Sequence, residues 1–144
     1  MDGKTFQFMN TIIAGSRDCT TIELLFDALE ECPWEVTEVV CGMAPGADML
    51  GFEFAELAEL PKPHEFPANW RPDGPKGKLD RGAGYKRNEQ MAKFAQACIV
   101  LWDGTSKGSK NMIDLAIKYK LLLLVYKYKE YKFETYNCKY IGEK

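Results

Sequence analysis

Three short segments of this sequence combine glycine with hydroxyl or charged side chains: Gly15-Ser16-Arg17, Gly42-Met43-Ala44-Pro45-Gly46-Ala47-Asp48 and Asp103-Gly104-Thr105-Ser106-Lys107-Gly108-Ser109. Each follows a short apolar run, and the second and third lead straight into segments of helical period. Backbone N–H groups at a helix N-terminus point outward unsatisfied, and the helix dipole adds about half a positive charge, so phosphate is the natural guest of such turns. Glycine is also the ordinary residue of any tight strand-to-helix turn, so each segment alone reads more readily as a plain turn. Neither GxGxxG nor GxxxxGK[ST] occurs, which excludes a standard dinucleotide fingerprint and a P-loop.

Single residues sharpen this pattern. Arg87 sits near the start of a helical segment, where a cation opposes the dipole by about 0.3 to 1 kcal/mol unless an anion lies beside it. Asp48 has the opposite preference: a carboxylate in a first helical turn is favourable by itself and repels a neighbouring phosphate. It reads as a cap or as an acceptor for a ribose hydroxyl. Trp70 and Arg71 offer a flat surface and a cation suited to stacking a base, against the alternative of Trp70 as a core anchor. Residues 69–84 hold four of the twelve glycines and two of the seven prolines, and read as a loop. Arg71, Lys76, Lys78 and Arg81 against Asp73 and Asp80 leave the loop net positive, as a lid over an anion would be.

The elements that must position these residues alternate. Phe6 to Ala14 reads as a first strand. Thr21 to Glu31 reads as a helix with Ile22, Leu25, Phe26 and Leu29 on one face, ended by Pro33. Val36 to Cys41 is a second strand, Ala47 to Leu60 a helix on Leu50, Phe54, Leu57 and Ala58, and His64 to Phe66 a short third strand. Tyr85 to Ala97 and Ser109 to Lys118 read as helices, with Cys98 to Trp102 and Leu121 to Tyr126 as strands apolar on both faces. Such strands, each separated by one helix, predict an α/β parallel sheet of about five strands covered on both sides. The segment from Tyr126 to Tyr140 alternates aromatic and charged residues and reads as a C-terminal edge strand rather than an aromatic-basic patch for nucleic acid. In an open parallel sheet ligands bind beyond the carboxyl ends of the strands, where all three glycine turns fall.

Composition sets the outer limits. With 144 residues, 46% hydrophobic, the chain reads as one domain over 1–144. Its 19 Lys+Arg against 21 Asp+Glu give a net charge of -2, without the positive field of a non-specific DNA binder. Nucleic acid is therefore disfavoured as a partner. Five cysteines without a CxxC pair, and His64 as the single histidine, argue against a zinc site or a disulfide framework, so no metal is expected. No apolar run approaches the roughly 20 residues of a membrane span, and the first ten residues lack a signal-peptide core. The expectation is a soluble, reduced, cytoplasmic protein with no membrane partner.

The same segments, taken in order with Pro67-Ala68-Asn69-Trp70 and with Gly84-Tyr85-Lys86-Arg87-Asn88 and Met91, resemble the SLOG superfamily, in particular its small YspA-like branch. The resemblance runs from about Ile12 to Val125. It implies a Rossmann-like sheet and a nucleotide pocket formed by Gly15, Ser16, Arg17, Gly42, Ala44, Gly46, Asp48, Trp70, Arg87, Asn88, Asp103, Gly104, Ser106, Gly108 and Ser109. Related LOG enzymes, which cut the N-glycosidic bond of nucleoside monophosphates, carry a glutamate where this chain has Met112, and a thioether is no general base. Glu89, Asp103 and Asp114 are the candidates for a displaced carboxylate. The expected function is thus a stand-alone domain that binds, and sequesters or senses, a nucleotide-derived small molecule such as ADP-ribose or NAD. No cofactor is implied, and relatives suggest a homo-oligomer. A LOG-like glycosidase is the alternative, and a DNA-associated domain ranks third.

Overall fold

The computed structural model describes residues 9–138. Its elements are β1 (Asn10–Gly15), α1 (Ile22–Glu31), β2 (Glu38–Cys41), α2 (Ala47–Leu57), β3 (His64–Glu65), α3 (Ala83–Phe94), β4 (Ala97–Trp102), α4 (Lys107–Lys118), β5 (Leu122–Lys127) and β6 (Lys132–Tyr136). The six strands form one sheet in the order β3-β2-β1-β4-β5-β6. Five run parallel, and β6 closes one edge antiparallel to β5, with Tyr126 opposite Phe133. This is the α/β, Rossmann-like sheet with a C-terminal edge strand that the sequence predicts.

Strand alternation sorts the core into two layers. Ile13, Val39, Ile99, Leu101 and Leu124 face α1 and α2, meeting Leu25, Ala28, Leu50 and Ala55. Ile12, Val40, Val100, Leu123 and Val125 face α3 and α4, meeting Met91, Ala92, Met112 and Ile113. Both faces are therefore apolar in the inner strands, which is why those strands read as continuous hydrophobic runs.

Element ends depart from the sequence reading for local reasons. Residues 6–8 of the expected first strand lie outside the described residues. The helix expected to reach Leu60 stops at Leu57, because Glu59 turns left-handed at φ 56 and the Leu60 N–H donates to Ala55. Leu57 and Phe26, expected on buried faces, are 61% and 40% exposed. α3 begins two residues before Tyr85 because Asp80 gathers its first turn, accepting the Gly82 N–H on its carboxylate at 2.9 Å and the Ala83 N–H on its carbonyl at 3.1 Å. It also ends at Phe94, so Ala97 belongs to β4. α4 begins at Lys107, before the expected Ser109, because Ser106 is its N-cap and accepts the Ser109 N–H on Oγ at 3.3 Å.

The chain crosses the sheet in one direction from β1 through β2 to β3 and returns to β4 on the other side of β1. The strand order thus reverses between β1 and β4, and a crevice opens there beyond the strands' carboxyl ends.

Candidate functional site

That crevice is a cavity of about 440 Å³ lined by residues that follow β1, β2, β3 and β4. Ala14 and Gly15 come from the end of β1, Arg17 and Asp18 follow them, and Ala44, Pro45 and Asp48 come from the turn into α2. Trp70 and Arg81 come from the long loop, Gly84, Tyr85, Arg87 and Asn88 from α3, and Asp103, Ser106, Gly108, Ser109 and Met112 from the turn into α4 and its first residues. Eleven of the fifteen residues expected from the sequence meet here.

The other four do not line it. Ser16 is 1% exposed and braces the site from beneath: its carbonyl accepts the Cys19 and Ala47 N–H groups, and its Oγ accepts the Asp103 N–H at 3.0 Å. Gly46 forms the left-handed residue before α2 at φ 87. Gly42 lies under Arg87, whose Nη1 donates to the Gly42 carbonyl. A Cβ on Gly42 would stand 2.5 Å from Nη1, so only glycine lets the guanidinium lie there. Gly104 turns away from the cavity wall with open space around it.

Arg87 is placed differently from the sequence reading. It is the fifth residue of α3, in the second turn, and its partners come from the protein: Gly42 on Nη1 and the Asn88 Oδ1 on Nε at 3.0 Å. Asn88 is itself fixed by its amide donating to Asn111 at 2.9 Å. Burial pulls the Arg87 pKa below its ordinary value while Asp48 opposes that shift. Nη2 has no hydrogen-bond partner among the described residues, and it lies beside Trp70: a Cβ on Gly84 would be 3.6 Å from Nη2 and 3.5 Å from the indole ring.

The carboxylates are engaged by backbone rather than aimed at a ligand. Asp48 is 6% exposed and accepts the Ala44 N–H at 3.2 Å, which ties the turn before α2 rather than capping the helix, whose N-cap Gly46 has no side-chain cap bond. Burial pushes its pKa up to about 6, against the lowering influence of Arg87 and the Ala44 and Gly42 backbone. Asp103 folds back on its own turn, its Oδ1 accepting the Thr105 and Ser106 N–H groups at 2.9 and 2.8 Å. Burial alone would raise Asp103, but these donors and the Ser16 hydroxyl hold it below its ordinary value. Of the displaced-carboxylate candidates, Glu89 accepts the Tyr119 hydroxyl at 2.5 Å and Asp114 pairs with Lys110 at 2.8 Å, both away from the cavity. Met112, 1% exposed, reaches its floor.

Tyr85, exposed, lines the cavity although the sequence reading gives it no ligand role, and Arg81, expected as one of the loop cations, lines it too. Tyr85 is 49% exposed and Trp70 45%, so Trp70 is not a core anchor. The segment from Trp70 to Gly82 closes on itself, with the Asp80 N–H donating to the Trp70 carbonyl at 2.7 Å and Arg71 Nη1 to the Gly77 carbonyl at 2.7 Å. This pinned base sets Trp70 and Arg81 at the cavity rim. No helix among the described residues is long and apolar enough to cross a membrane.

No protein-family model matches the chain, and no curated protein matches it in sequence. Among solved structures it is similar to DNA processing protein A from Helicobacter pylori, with a TM-score of 0.57 over 86% of this chain and 68% of that one, at 20% identity. At that identity the likeness is one of fold. That protein is a SLOG member, and the study of it describes a single-stranded DNA binding mode. The finding corrects the expectations of a nucleotide-derived small ligand, with a LOG-like glycosidase as its alternative, and of nucleic acid as a disfavoured partner. The net charge of -2 describes the field of the whole chain, whereas Arg17, Arg81 and Arg87 are gathered at one crevice.

Proposed function

We propose that this chain is a SLOG-like domain that binds single-stranded DNA across the crevice between β1 and β4. The carrying observation is the pairing of two half-exposed aromatic rings, Trp70 and Tyr85, with three arginines around one open cavity. Single strands are held by a cationic groove along the phosphates and by aromatic faces on which bases stack, each stack contributing about 1–3 kcal/mol. Arg17 and Arg81, both exposed, face the phosphates, and Arg87 adds its unpartnered Nη2 from below. The free N–H groups of Lys107 and Gly108 at the start of α4 supply a further anion contact. The other fold-bearing candidates, Gly15, Asn88, Ser106 and Ser109, shape the wall.

The reading is one of binding, and the resemblance to LOG enzymes sets Met112 where they carry their glutamate. Similarity in fold to DNA processing protein A supports the choice of single-stranded DNA over a free nucleotide. Ultraviolet cross-linking of an oligo-dT to the purified protein, followed by peptide mapping, tests the reading. Cross-links at Trp70 or Tyr85 are expected; cross-links confined to the β5–β6 edge, at Tyr131 or Phe133, would move the site elsewhere.

A further inference from the structure

We propose that Asp48 is a positioning residue of this site, holding the turn on which Arg87 rests and offsetting its charge, so that single-stranded DNA binds more tightly once Asp48 is protonated. The inference rests on the single-strand reading above and adds its regulation by proton uptake.

The geometry is a short chain of contacts. Asp48 reaches back from the first turn of α2 to accept the Ala44 N–H at 3.2 Å, which pins the Gly42–Asp48 turn. The Gly42 carbonyl of that turn takes Nη1 of Arg87. Asp48 and Arg87 make no direct ion pair, yet each acts on the other's protonation, so the carboxylate works on the guanidinium through the field. The cavity wall carries three arginines and three aspartates, Asp48 among them. Its formal charge is therefore balanced when all six are ionised, a poor state for holding a phosphate chain. Neutralising one buried carboxylate leaves the site with a net positive charge.

Asp48, unlike Asp103, changes charge near neutrality. Burial brings it to about 6, while the backbone donors of its turn keep Asp103 ionised. Three groups coupled to Asp48 hold their charge over the same range. Arg87 from α3 stays cationic, and the thiols of Cys41 on β2 and Cys98 on β4 stay neutral because burial raises them, Cys41 to about 12. Around the rim stand Arg17 and Asp18 after β1 and Arg81 from the loop, and Glu65 on β3 lies behind Cys41.

The test is fluorescence anisotropy of a labelled oligo-dT, whose bases and phosphates do not titrate between about pH 5 and 8, at fixed ionic strength. Affinity is expected to rise roughly three- to tenfold on acidification, with a midpoint near that of Asp48. Asp48→Asn is expected to flatten the profile at the tight end. Linkage is reciprocal, so saturating oligo-dT should raise the Asp48 midpoint read by carboxyl carbon NMR in the wild-type protein, a readout that stands if the variant folds poorly. A wild-type protein that binds with a flat profile, a variant that keeps the slope, or an Asp48 midpoint unmoved by DNA each overturns the inference. Absence of binding at every pH would instead sink the single-strand reading, and this inference with it.

Discussion

Two helices, α2 and α4, start at the same edge of the sheet after glycine-bearing turns, and they end up in opposite states. At α2 the Ala47 N–H donates to the Ser16 carbonyl, the Met49 N–H to Gly46, and the buried Asp48 carboxylate fills the first turn. At α4 Ser106 caps the Ser109 N–H, but the Lys107 and Gly108 N–H groups have no partner among the described residues, and open space surrounds Gly108. At one terminus the first helical N–H is taken by a neighbouring turn and a buried carboxylate stands beside it; at the other the first two N–H groups are open and can meet an anion. Glycine content alone does not separate them. What decides is whether a neighbouring turn, here Ser16, reaches the helix start first.

The sharpest way to break this comparison is a methyl group at each turn. In Gly46→Ala the new Cβ would lie 2.4 Å from the Arg17 carbonyl oxygen at φ 87, costing about 3 kcal/mol or more by urea unfolding. Gly108→Ala should change stability by no more than about 1 kcal/mol, in the stabilising direction. Equal losses would show the two termini to be alike.

Charge gives the next largest effect. Asp48 titrates from an ordinary 3.8 to about 6 in the folded protein, so its contribution to stability is full below about pH 4 and lost as pH rises through 6. Asp48→Asn should therefore stabilise the protein at pH 7.5 by on the order of 2 kcal/mol and bring no gain at pH 4. Thermal melts at the two pH values check the sign. Trp70→Ala should weaken oligo-dT binding by about 1–3 kcal/mol while leaving the melting temperature nearly unchanged, because the ring is half exposed. The smallest effect belongs to Gly108→Asp. A carboxylate at the open α4 terminus should add about 0.3 to 1 kcal/mol of stability and lower oligo-dT affinity, as read by anisotropy.

The strand and helix order was legible because each inner strand is apolar on both faces and each helix has one apolar stripe. The crevice is legible too, since Gly15, Asp48 and Ser109 stand at strand or helix ends, whereas Arg87 reaches it from the second turn of α3. Hydrogen-bond ownership was not. Ser16 and Asp103 look like ligand contacts in sequence, yet they bond to backbone groups far away or within their own turn, and only the packed chain shows it. Tyr85 passed as an ordinary helical residue, because its exposure depends on how α3 meets the loop. The ligand class is not legible from a global charge of -2, which does not show which charges the fold gathers: Arg17, Arg81 and Arg87, against Asp18, Asp48 and Asp103, line one crevice.

The central claim is tested most directly by the salt dependence of binding to a labelled oligo-dT, with duplex DNA and free nucleotides as competitors. The account predicts that the single strand binds in preference to both, with a log–log slope of about -2 for three arginine–phosphate contacts, reduced by about 0.7 in Arg81→Ala. No binding at low salt, or full displacement by a free nucleotide at comparable concentration, would contradict it.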